Sequence, residues 1–198
     1  MSKQFIVTIA RQFGSGGHVI ASDLAEKLGV ELYDENLISS AIKASKSDTE
    51  ALREYEEKPR NKWISRTYHN YKTSVSDIVA EREFLFMKGL AEKGKSFVVV
   101  GRCSENVLAE YPGVITIYIT ADEEAKISRI MQLYEKTEPD AKKMIIKKDK
   151  SREDYHNGHF KNTWGLASNY DMIINSSRLG LEKTSEFLYE YIKLRIGE

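Results

Sequence analysis

The sequence predicts an α/β fold, a three-layer sandwich around a parallel sheet of five strands, and three observations predict it. Short, nearly continuous apolar runs such as Phe97-Val98-Val99-Val100 alternate with helical patterns, as strands covered on both faces do. The first such run, Phe5 to Ala10, passes through the glycine-rich turn Gly14-Ser15-Gly16-Gly17 into an amphipathic helix. The conspicuous polar residues, Arg11 to His18, Asp34, Gly101-Arg102 and Ala121-Asp122, follow strand ends, where ligands of open parallel sheets bind.

The elements follow in order. After the first strand, Ile20, Leu24 and Leu28 recur four residues apart in a helix from Gly16 to Leu28, which Gly29 ends. A strand over Glu31 to Tyr33 leads to Asp34, placed to cap a helix over Glu35 to Ile42. Residues 46–95 read as a helical insertion interrupted around Lys58-Pro59-Arg60-Asn61, with a long second helix from about Ser74 to Lys93. Its aromatics Trp63, Tyr68 and Tyr71 suit either an acceptor-binding cap or a homodimer surface. Strands over Phe97 to Val100 and Val114 to Ile119 precede a helix that carries Arg129. Residues 135–170, rich in charge and aromatics, form a helical lid before the last strand, Met172 to Asn175.

Composition narrows the function. A chain of 198 residues, 41% apolar and 30% charged, fits a single domain over 1–198 with a real core. Thirty basic residues balance thirty acidic ones, so no global charge steers it to nucleic acid or an anionic membrane. One cysteine, Cys103, excludes an internal disulfide and suits a reducing compartment; no signal pattern or membrane-length apolar run is present, and the expected location is cytoplasmic.

A glycine-rich turn opening a helix is how phosphate-binding loops are built, because the backbone curls until several N–H groups point at one spot and the helix dipole adds positive potential. Arg11, Gly14, Ser15, Gly16, Gly17 and His18 are the candidate phosphate ligands. The usual lysine is missing: against G-x-x-x-x-G-K-[ST], Arg11 stands at the first glycine, Gly17 at the lysine and His18 at the hydroxyl residue. Two other readings of these glycines are a dinucleotide fingerprint using Gly14, Gly16 and Asp34, with Val19 at the third glycine, and a plain strand-to-helix turn. Positive charge for phosphoryl transfer can come instead from Lys147-Lys148-Asp149-Lys150-Ser151-Arg152 and from Arg129, arginine being able to grip two phosphate oxygens at once. The lysines there also fit a solvated helix with i,i+4 pairs. His156 and His159 sit three apart, but Tyr155, Phe160 and Trp164 beside them favour an ordinary packed helix face over a metal site.

The loop Arg11-Gln12-Phe13-Gly14-Ser15-Gly16-Gly17, Tyr33-Asp34, Gly101-Arg102-Cys103, Asp149-Lys150-Ser151-Arg152, Trp164-Gly165 and Tyr170 to Ser177 together resemble the cytidylate kinase-like family, among the P-loop nucleoside monophosphate kinases, over essentially the whole chain. The resemblance implies a P-loop kinase fold, ATP with Mg2+ as phosphoryl donor and cofactor, and a small acceptor such as a nucleoside monophosphate. It implies that the loop and His18 cradle donor phosphate, that Arg129 and Arg152 neutralise charge during transfer, and that Asp34 and Arg102 orient the acceptor. Asp34 is also the candidate to hold magnesium through water. Three departures stand out, the first being His18, where members of the family commonly have arginine. The segment after the second strand, Asp34-Glu35-Asn36-Leu37-Ile38-Ser39-Ser40, keeps only the aspartate of the cytidylate kinase pattern, and Gly101-Arg102-Cys103 keeps the arginine but loses an acid. The alternative from another class is a nucleotide-binding sensor derived from a kinase.

Overall fold

The computed structural model describes residues 4–45 and 75–197. Strands β1 (Ile6–Arg11), β2 (Glu31–Tyr33), β3 (Phe97–Val100), β4 (Val114–Thr120) and β5 (Met172–Asn175) form one sheet in the order β2-β3-β1-β4-β5. Every pairing is parallel, with Ile9 of β1 opposite Val100 on one side and Ile117 on the other. The expected α/β class and all five expected strands are therefore present, their ends within one residue of the sequence reading.

Alternation along the strands divides the core into two layers. Val7, Ile9, Val98, Val100, Ile115 and Ile117 face helices α1 (Gly17–Leu28) and α7 (Leu181–Ile196), packing on Ile20, Leu24, Leu188 and Ile192. Ile6, Phe97 and Val99 face the other way, toward Ile38 of α2 (Glu35–Ser45), Met87 and Leu90 of α3 (Val75–Glu92), and Val107 of the short α4 (Ser104–Val107). Gly29 ends α1 in the left-handed conformation, its N–H returning to the carbonyls of Ala25 and Glu26, as a residue without Cβ does cheaply. Of the 46–95 insertion, α3 is described and matches the second expected helix; the break at Lys58-Pro59-Arg60-Asn61 and the aromatics Trp63, Tyr68 and Tyr71 lie outside the described residues.

Residues 135–170, the expected lid, are mostly one helix, α6 (Glu138–His159), followed by a 3-10 turn at Ala167–Asn169. It has few buried apolar residues, and surface pairs such as Glu138–Lys142 and Lys150–Asp154 support it along its length. Ala141 and Ile145 pack on Ile127 and Ile130 of α5 (Glu123–Tyr134), and Phe13 of the glycine loop closes this small third cluster. Phe13 thereby docks the α5–α6 pair on the loop. No helix of the described residues is long and apolar enough to cross a membrane.

Candidate active site

The loop after β1 owes its path to glycines. Gly14 and Gly16 adopt φ of 84° and 78°, conformations that L side chains rarely take, and a Cβ on Gly16 would lie 2.4 Å from Leu181. Gly17 has an ordinary backbone but no room, since its Cβ would meet that of Arg11 at 2.7 Å. Ser15 is buried: its hydroxyl donates to the Gln12 carbonyl at 2.9 Å, and its own carbonyl accepts from Ser176 at 2.6 Å. The loop is thus braced from within, and α1 starts at its exit with N–H groups that its own helix cannot satisfy.

Two helices clasp this loop from outside. Arg129 on α5 donates to the Gly14 carbonyl at 2.6 Å. On α6, Asp149 accepts the Phe13 N–H at 2.6 Å, while Arg152 donates to the Arg11 carbonyl at 3.0 Å and lies 3.8 Å from Asp149. The structure therefore brings Arg129 and Arg152 to the loop, one to each end of it.

Arg11 is the unusual member. Its stem lies against Gly17 and its guanidinium against Gly101, where a Cβ would stand 1.9 Å from Nη1. It forms no ion pair among the described residues, and burial together with the Arg152 guanidinium pushes its pKa down from the ordinary arginine value. An arginine stays protonated at neutral pH even so. Glu35 and Asp34 act on Arg11 in the opposite direction and Asp149 lies 3.8 Å from Arg152, and an anion between the two guanidiniums would relieve the repulsion that remains.

Both line a cavity of about 330 Å3 between the ends of β1 and β3 and the inner face of α6, within the usual range for small-molecule sites, about 300–1,000 Å3. Lys148 and Arg102 add positive charge, and Glu35, Glu105 and His156 complete its polar lining. Gly101→Ala is expected to push the Arg11 guanidinium aside and to raise the concentration of inorganic phosphate needed for half-saturation about tenfold, about 1.4 kcal/mol, the scale of one charge-assisted hydrogen bond. Calorimetric titration with phosphate checks this; an unchanged titration would place Arg11 outside the anion site.

Arg102 is held differently. Its Nε donates to Glu83 at 2.7 Å and its Nη2 to the same oxygen; Glu35 lies 3.5 Å away, and the guanidinium sits 4.3 Å from the Tyr155 ring centre. Glu83 is 1% exposed, so this is a buried pair. Gly101, Arg102 and Cys103 turn left-handed in succession, with φ of 74°, 57° and 55°. A non-glycine residue in that region costs about 1–3 kcal/mol, and such strain clusters at functional sites. Burial, with Glu105 adding, pushes the Cys103 thiol well up, and the side chain is 4% exposed. Cys103 is expected to resist iodoacetamide at pH 7.5 in the folded protein and to react after denaturation, as read by mass spectrometry.

His18 points elsewhere than the loop's interior. It is exposed, and its Nε2 meets Asp34 Oδ2 at 2.9 Å. Asp34 Oδ1 accepts the Leu37 N–H at 2.8 Å, capping α2. Burial pushes the Asp34 carboxyl up, but the Leu37 N–H and His18 outweigh it, and the net pKa is lowered. A lowered folded-state value contributes stability that is present above the unfolded value and lost as pH falls through the folded one. Asp34→Ala should therefore cost about 1 kcal/mol in urea unfolding at pH 7, with the difference from wild type shrinking below about pH 4.

Sequence reasoning did not single out Glu83, Glu105 or the Asp149 carboxylate as site groups. Glu83 and Glu105 carry no local pattern that points to them. His156, weighed as a metal ligand, is 2% exposed and meets Glu105 at 3.0 Å, whereas His159 lies edge-on to Phe84 and Tyr155. No group of three or more His, Cys, Asp or Glu able to hold a metal occurs among the described residues.

Comparison with known proteins gives these likenesses. The model of the cytidylate kinase-like family matches residues 6–178. A cytidylate kinase of Archaeoglobus fulgidus is 26% identical over 196 residues, covering 96% of this chain and 95% of that protein. Among solved structures, an uncharacterized protein from Eubacterium ventriosum has a TM-score of 0.77 at 29% identity, covering 96% of this chain and 99% of that one. The shikimate kinase of Acinetobacter baumannii, solved with shikimate, has a TM-score of 0.53 at 15% identity over 96% of this chain and 94% of that one, a likeness of fold.

Proposed function

The chain belongs to the cytidylate kinase-like family, and on that footing we propose that it is a phosphotransferase that moves the γ-phosphoryl group of ATP to a small anionic acceptor, with a nucleoside monophosphate such as CMP the first candidate. The observation that carries this reading is the excess of cations, Arg11, Arg102, Lys148 and Arg152, lining one cavity beside the glycine loop, against Glu35 and Glu105 as its carboxylates. Phosphoryl transfer asks a protein for positioning and positive charge more than for covalent chemistry. The loop and the start of α1 hold the donor's phosphates, the cavity holds the acceptor, and Arg152, hydrogen-bonded to the loop on one side and lining the cavity on the other, stands where charge develops between them.

Magnesium fits this residue set in a particular way. The ion commonly keeps several waters and needs one or two carboxylates beside substrate phosphates. Asp34 is the carboxylate available next to the loop, and it would hold the ion through water because its own oxygens are engaged by Leu37 and His18. When bound, the ion supplies charge neutralisation at the phosphate oxygens.

A second reading, a nucleotide-binding sensor with little turnover, draws on the Phe13 N–H already accepted by Asp149 and on the missing loop lysine. A coupled assay for ADP over a panel of nucleoside monophosphates and small alcohols separates the two. Acceptor-dependent ADP release supports the kinase; ATP binding with no acceptor-dependent release overturns it in favour of the sensor.

A further inference from the structure

The cavity wall carries a second kind of chemistry besides its cations. Glu105 and His156 are 5% and 2% exposed and meet Oε1 to Nε2 at 3.0 Å. Their surroundings fix the arrangement. Asn157 Oδ1 accepts the Trp164 backbone N–H at 3.1 Å and faces His156 Nδ1 at 3.2 Å, and Asn106 Nδ2 lies 2.9 Å from His156 Nε2. The Tyr170 hydroxyl donates to Glu105 Oε1 at 3.4 Å. His156 Nε2 and the Tyr170 hydroxyl both lie against Oε1. Glu105 Oε2, equally buried, has no hydrogen-bond partner.

A buried carboxylate oxygen with no donor is costly, and native structures seldom leave one unexplained. Glu105 lines the cavity, so the missing donor has a place to come from. The charged groups that act on Arg11 are Arg152, Glu35, Asp34 and Arg102, whereas Glu105 acts on Cys103, Tyr118 and Tyr170. Glu35 is the cavity carboxylate that acts on Arg11 and Arg152, which leaves Glu105 for a ligand's other groups.

We infer that Glu105 is a specificity-determining residue: its Oε2 accepts a hydrogen bond from an amino N–H of the acceptor whose anionic group lies at Arg11 and Arg152. His156 is the positioning residue that holds the carboxylate in place. The cavity then selects anionic molecules bearing an amino group over isosteres that present a carbonyl oxygen there, because two acceptor oxygens facing each other repel. The inference rests on the reading of this cavity as the acceptor site.

Calorimetric titration of the full chain without ATP tests it, using cytidine against uridine monophosphate and adenosine against inosine monophosphate. Each pair shares phosphate and sugar and differs in an amino group beside an unprotonated ring nitrogen against a carbonyl beside a ring N–H. Wild type should bind the amino member of at least one pair about tenfold or more tightly, the scale of one hydrogen bond to a charged group. Glu105→Gln should bring that ratio close to unity while the variant still binds inorganic phosphate. Wild type binding both pairs without preference, or a preference that survives in folded Glu105→Gln, overturns the inference; the wild-type comparison decides even where the variant does not fold. Discrimination without phosphoryl transfer would fail the kinase reading alone, and transfer without discrimination would fail this one alone.

Discussion

Arg152→Ala should lower kcat/KM for the acceptor by about a hundredfold to a thousandfold while changing the KM for ATP little, the loss typical when one charge-stabilising donor is removed from a reaction centre. The geometry argues for so large an effect. Arg152 is one of the guanidiniums lining the cavity, and burial pushes its pKa down, with Asp149 opposing only in part. A cation held in that condition is stabilised most by the anion that neutralises it, and more when that anion gains charge. Arg152→Lys should recover part of the rate, since it restores a point charge without the planar fork that grips two oxygens. Steady-state kinetics with both substrates varied checks this. Equal, small changes in both KM values with kcat intact would reduce Arg152 to a brace for the Arg11 carbonyl.

Glu83→Ala should destabilise the fold by about 3 kcal/mol, toward the lower end of what is lost when one partner of a buried ion pair is removed. The reason is the charge left behind. Arg102 is 15% exposed at its side chain, and only the more distant Glu35 remains to face it. For a chain of this size that corresponds to a fall in melting temperature of roughly 6–12 °C. Glu83→Gln keeps an oxygen to accept from Arg102 and should lose less, yet it frees positive charge at the cavity wall and should tighten inorganic phosphate binding. Thermal unfolding followed by circular dichroism reads the first effect and phosphate titration the second. An unchanged melting temperature in Glu83→Ala would show that Arg102 moves to solvent without cost.

The sheet was legible because its determinants are local. Val98-Val99-Val100 can bury both faces only between helical layers, and Gly29 can end a helix by its own conformation, so each element announces itself within a few residues. The position of the glycine loop was legible for the same reason. The division of labour among the arginines was not. Arg11 reads as an anomaly at a glycine position until two distant glycines, Gly17 and Gly101, are seen to leave space for its stem and its guanidinium. Arg102 reads as an acceptor ligand until Glu83, on a helix across the second core layer, occupies two of its nitrogens. His18 and Asp34, each assigned to a phosphate, an acceptor or a metal from its place after a strand, bond to each other although they stand sixteen positions apart. Side-chain partners of this kind are set by tertiary packing, which no local pattern encodes.

The missing lysine has a different meaning once the loop's neighbours are known. A loop without it could be a relic, but the same loop is clasped by Arg129 at Gly14 and by Arg152 at Arg11, and its first residue supplies a guanidinium of its own. Positive charge has been redistributed around the loop rather than removed. The most direct measurement is a crystal structure of the protein with a non-hydrolysable ATP analogue, magnesium and a nucleoside monophosphate. The account predicts the acceptor's phosphate between the guanidiniums of Arg11 and Arg152, with the analogue's phosphates on the glycine loop. An acceptor phosphate seated away from both arginines, with Arg11 and Arg152 still facing an unfilled cavity, would contradict it.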